Sequence, residues 1–126
     1  MDRNETIKRI KTALQRRSGK AWSVTGGRGT AWGWITLDAP PARATWSHRL
    51  KAGAIMDRPE DYEPYDSGEP GRNMSPTDQA ELAKLMGLES VSEQGISIPS
   101  SGDYYDENLD RAEGRTPSKI GKPYWD

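Results

Sequence analysis

The chain has 126 residues, 33% of them hydrophobic, with nine prolines, thirteen glycines and no phenylalanine, so tryptophan and tyrosine carry the aromatic packing. The absence of cysteine excludes a disulfide framework, a thiol nucleophile and a zinc–thiolate site. The net charge of −1 conceals a division: residues 1–51 hold eleven Lys/Arg against three Asp/Glu, and residues 52–126 hold seven against sixteen.

In chain order, residues 4–16 predict an amphipathic helix. Ile7, Ile10 and Leu14 recur at spacings of three and four, Asp2 and Glu5 have capping-box spacing, and Asn4 is a second candidate cap. Lys8, Arg9, Lys11, Arg16 and Arg17 fill the other faces, the last two suiting the helix dipole. Ser18-Gly19 ends the helix.

Residues 20–37 predict a β-hairpin. Trp22 and Val24 share one side of a first strand, the glycine-rich loop Gly26-Gly27-Arg28-Gly29 turns the chain, and a second strand continues through Trp32, Trp34 and Thr36. Period-two alternation puts Ile35 and Leu37 opposite Trp32 and Trp34. If Ile35 and Leu37 face a helix, Trp22, Trp32 and Trp34 line the opposite face as an open aromatic patch. The other arrangement buries the indoles, either as the core face or beneath the tail.

Asp38-Ala39-Pro40-Pro41 is a turn, and residues 43–50 alternate again as a third strand carrying the only histidine, His48. A lone histidine reads as a packing residue, since no second one exists to build a relay or complete a metal site. Residues 51–73 are acidic and proline-rich. Prolines 59, 64 and 70 oppose regular ladders, so the segment reads as an extended loop pinned by Tyr62 and Tyr65. Its carboxylates do not follow calcium-loop spacing.

Ser75 as N-cap, Pro76 at the first helical position and Gly87 as terminator predict a second helix over 76–86. Ile96-Ser97-Ile98 reads as a short edge strand, residues 103–113 as a thin third helix, and residues 115–126 as a tail ending in Tyr124-Trp125. The sum is one small α+β domain over 1–126: a small antiparallel sheet of two to four strands packed with two principal helices.

No elbow, P-loop, dinucleotide or metal-ligand motif appears, so no catalytic residue, metal or cofactor is assigned and an enzyme is disfavoured. No apolar run reaches the length of a membrane span, which points to a cytoplasmic protein without a membrane partner. The basic half suggests nucleic-acid contact through Arg17, Lys20, Arg28, Arg43 and Arg49 interleaved with Trp22, Trp32 and Trp34. The alternative is a protein-binding module using the acidic loop and tail, through Tyr62, Tyr65, Tyr124 and Trp125. Charge division also fits two halves attracting each other, within one molecule or across a homodimer.

The segment from Ile7 to Pro40, with its "IKTAL" helix, "WSVTGGRGT" strand and loop, and "WGWITLDAPP" run, resembles a large polyvalent protein-associated domain. Ser23-Val24 and Asp38-Ala39-Pro40 stand where that family carries a serine-valine pair and an aspartate-glycine-proline turn, with Ala39 replacing the glycine. The resemblance implies a phage or mobile-element context and no defined activity.

Overall fold

A computed structural model of the protein describes residues 2–55, 58–71 and 73–121. The architecture is α+β, and it begins with helix α1, Arg3–Ser18. The Asp2 carboxylate caps it by accepting the Glu5 amide at 2.7 Å, which satisfies one of the amides a helix start leaves unpaired. Thr6, Ile10, Ala13 and Leu14 form its buried stripe. Ser18 then ties the helix end to the chain leading into the first strand. Its hydroxyl donates to the Leu14 carbonyl at 2.7 Å and accepts from the Lys20 amide and the Trp22 indole N–H at 3.1 and 3.0 Å.

Strands β1 (Ser23–Gly26) and β2 (Ile35–Asp38) pair antiparallel, with Val24 opposite Leu37 and Gly26 opposite Ile35. The other neighbour of β2 is β5 (Ile96–Ile98), with Ile98 opposite Ile35 and Ile96 opposite Leu37. The sheet order is therefore β1-β2-β5. Directly paired residues share a face, so Val24, Ile35, Leu37 and Ile98 all turn inward and are buried. Each contributes about 1.5–3 kcal/mol by leaving water. The opposite face is polar, with Thr25, Thr36 and Ser97 in one cross-strand row.

Helix α2, Pro76–Met86, has Ser75 accepting the Asp78 amide at 3.1 Å and Pro76 in its first turn, as expected from the sequence. At its end Gly87 takes φ of 67°, a left-handed conformation open to glycine at little cost. The amides of Leu88 and Gly87 return to the Ala83 and Lys84 carbonyls at 2.9 and 3.3 Å, a Schellman closure. Helix α3, Gly102–Ala112, buries Tyr105, Asn108, Leu109 and Ala112. These faces close one apolar core with Met74, Leu82, Ala83 and Met86.

Two expectations about the middle of the chain need correction. The strand expected over 43–50 exists as β3, Trp46–Leu50, but it does not join the hairpin. It pairs antiparallel with β4, Tyr62–Asp66, as a separate two-stranded ribbon. The stretch expected to be an extended loop over 51–73 thus contains a strand. Pro64, opposite His48, is compatible with it because a ribbon has open edges, where a missing N–H breaks no ladder bond. A lone ribbon is marginal in water, and this one is anchored at its root. The Gly71 amide reaches the Ala44 carbonyl at 2.6 Å, Trp46 N–H reaches the Asn73 carbonyl at 3.1 Å, and His48 Nε2 lies 3.0 Å from Glu93.

The segment after α3 folds back along that helix through its acidic residues. Arg115 hydrogen-bonds Asp110 at 2.9 Å, the Ser118 amide donates to the same carboxylate at 3.2 Å, and the Gly121 amide donates to Glu107 at 2.6 Å. Arg115, and after it the Ser118 amide, hold the Asp110 carboxyl below its ordinary pKa. A depressed carboxyl pKa stabilises the fold in full above the unfolded-state value of about 3.9, and that contribution disappears as pH falls through the lower folded value. The Ser118 amide resonance is therefore expected to hold its position down to pH of about 4 and to shift below it. In Asp110→Asn that titration should vanish; a persistent shift would assign the effect to another carboxylate. Tyr124 and Trp125 lie outside the described residues.

Candidate nucleic-acid interface

The connection between β1 and β2 is longer than the glycine-rich tetrapeptide suggests. It runs through a 3-10 turn at Gly29–Ala31, and the amides of Ala31, Trp32 and Trp34 return to the carbonyls of Arg28, Gly29 and Ala31 at 3.1 Å each. The Gly27 amide closes the turn on the Trp34 carbonyl at 2.8 Å. Gly27 admits no side chain, since a Cβ there would collide with the Ala31 carbonyl oxygen. Trp32 and Trp34 are consequently turn residues, and strand parity does not apply to them.

That outcome separates the three indoles. Trp22 is 1% exposed and belongs to the core with Val24, Ile35 and Leu37, so it is not part of an open aromatic face. Trp34 is half-buried. Trp32 stands at the surface with 52% of its area exposed.

The cations divide in the same way. Lys20 pairs with Glu81, and Arg43 pairs with Asp78 while its guanidinium lies 5.3 Å from the Trp22 ring centre. Arg17 donates to the carbonyls of Leu85, Arg111 and Ala112, at the C-terminal ends of α2 and α3. There a cation complements the helix dipoles. Arg49 meets Glu63 across the ribbon at 3.2 Å and packs on Tyr65 at 4.8 Å. These four hold the basic half to the acidic half or stiffen the ribbon. Arg28 is exposed at the turn and forms no ion pair among the described residues.

Sequence reasoning missed Arg3 and undervalued α1. Arg3 stands one turn before Ile7 in the row Ile7–Ile10–Leu14, so its side chain leaves the helix toward the sheet. Its Nη1 donates to the carbonyls of Gly27 and Trp32 at 3.0 and 2.8 Å, and its guanidinium carbon lies 3.8 Å from the Trp32 ring centre. Asn4 Oδ1 accepts from Nε and Nη2 at 3.0 and 2.8 Å, fixing the guanidinium plane. An arginine in the apolar row of a first helical turn was the available signal. On the outer face of α1, Lys8, Lys11 and Arg16 are exposed and without ion pairs among the described residues. Arg9, on the same surface, lies 4.0 Å from Glu113.

Among the described residues no group of three or more His, Asp or Glu side chains could hold a metal ion, and no helix is long and apolar enough to cross a membrane. Of the residues expected to contact protein, Tyr62 is exposed opposite Leu50, and Tyr65 is half-buried under Arg49. Compared with protein families, curated proteins and solved structures, the chain matches none.

Proposed function

We propose that the protein is a non-enzymatic nucleic-acid-binding module that holds a phosphate backbone along the outer face of α1 and the adjoining Arg28 turn. One observation carries the reading. After Arg17, Lys20, Arg43 and Arg49 are engaged internally, Lys8, Lys11, Arg16 and Arg28 stay without ion pairs among the described residues. Lys8 and Arg16 are eight residues apart on α1, a span of about 12 Å, and unneutralised cations on one rigid element suit a polyanion. The binding surface thus moves from the hairpin, where the sequence placed it, to the helix beside it. A cytoplasmic setting, expected from the composition, and the mobile-element or host-interaction context that the sequence resemblance implies belong to the same proposal.

The test is anisotropy of a labelled single-stranded oligonucleotide across a salt series. Binding should weaken steeply with salt. The triple variant Lys8→Ala, Lys11→Ala, Arg16→Ala should bind about tenfold more weakly at low salt, with the slope of log K against log salt reduced by about 0.7 per lost phosphate contact. All three positions are solvated, so stability should be unchanged. Absence of binding by the folded wild type, or equal binding by the triple variant, would reject the proposal.

A second reading has its own observation. The ribbon exposes Leu50 and Tyr62 as a cross-strand pair, and Ile55 in the connecting loop is 96% exposed. Exposed apolar side chains on and next to one ribbon suit a protein contact.

A further inference from the structure

Every described tryptophan except Trp32 is at least half-buried, and Trp32 keeps half of its surface in water while Arg3 contacts both its ring and its carbonyl. Its guanidinium stacks on one face of the indole at 3.8 Å, a separation that admits nothing between them. The exposed area of Trp32 therefore belongs to its opposite face and rim. Arg3 also bridges both ends of the turn through the Gly27 and Trp32 carbonyls, while Asn4 fixes the guanidinium. The ring needs no ordering when something lands on it, which removes a cost that binding otherwise carries.

We propose that the outer face of Trp32 is a stacking site for one unpaired base, with purines preferred over pyrimidines. The inference rests on the nucleic-acid reading above and deepens it from a phosphate surface to a single-strand site. Three physical points select this occupant. A base within a duplex already has both faces stacked, so an isolated indole takes bases from single strands. Arg28, on the same turn, is exposed and without an ion pair among the described residues, so it is a cation that a phosphate of the same strand can meet. A cation behind the indole draws electron density from its π face, so the open side favours the larger, more electron-rich purine ring.

The experiment uses the full chain and three strands of equal length: oligo-deoxyadenylate, oligo-deoxythymidylate, and an abasic deoxyribose-phosphate chain with the same charge. Wild type should bind the adenylate strand tightest and the abasic strand weakest, and indole fluorescence should be quenched by bases only. Trp32→Ala should lose about tenfold affinity for the adenylate strand and leave abasic binding unchanged, with Trp32→Phe in between. Because Trp32 lies outside the core, the variants should keep the wild-type denaturation midpoint to within a small shift. Equal binding of all three strands, or the same loss on all three in Trp32→Ala, would overturn the stacking site and leave the phosphate surface standing. Failure of wild type to bind any of the three would overturn both.

Discussion

Replacing Trp22 with alanine is expected to lower stability by about 3–5 kcal/mol, read as a shift of the urea midpoint. The indole is 1% exposed and packs within the cluster formed by Val24, Ile35 and Leu37. Its N–H donates to Ser18, whose hydroxyl also closes the end of α1, and Arg43 lies over its ring. Alanine would leave a large cavity between α1 and the sheet and would deprive Ser18 of a donor. The same variant separates two uses of tryptophan in this chain. Under conditions where it remains folded, Trp22→Ala should bind single strands as wild type does, since the ring is sealed from solvent. Loss of binding without loss of stability would place Trp22 at the ligand and contradict its burial.

The second large effect is expected at Asp78, which is 7% exposed in the first turn of α2 and bonded to Arg43. Asp78→Ala removes a favourable charge at a helix N-terminus and leaves the Arg43 guanidinium without its carboxylate. The expected loss is about 2 kcal/mol, below the 3–5 kcal/mol of a fully buried pair because the Arg43 side chain is 33% exposed and regains water. A double-mutant cycle with Arg43→Ala should show coupling of about 1 kcal/mol, since the two groups act as a unit. An Asp78→Ala variant within about 0.5 kcal/mol of wild type, the ordinary range for surface changes, would mean that the pair is only a surface contact.

How much could be read from the sequence depends on the range of the interactions involved. Helix α2 was readable to its ends because Ser75, Pro76 and Gly87 act on their own immediate backbone. The start of α1 was readable through Asp2 for the same reason. The partner of β2 was not, because β5 lies beyond the ribbon and α2 and nothing local announces the pairing. Strand β4 was hidden for a different reason. A ribbon with no fully buried residue needs no apolar alternation, and Tyr-Glu-Pro-Tyr-Asp shows none. Hairpin parity failed at Trp32 and Trp34 because a 3-10 turn replaced the expected strand residues. The candidate site suffered most. Lys20 and Glu81 are 61 residues apart, so the sequence could count cations and not subtract those already engaged.

The division of charge also orders events during synthesis. Residues 1–51, with a net charge of +8, are synthesised before Glu81, Asp78 and the helix ends that later receive Lys20, Arg43 and Arg17. Until β5 and α3 have emerged, β2 has an unfilled side and α1 lacks one of its packing partners. The apolar core takes its residues from both halves. Closure of the core waits for β5 and α3, and until α2 and α3 have formed, Lys20, Arg43 and Arg17 lack the carboxylates and carbonyls that later receive them.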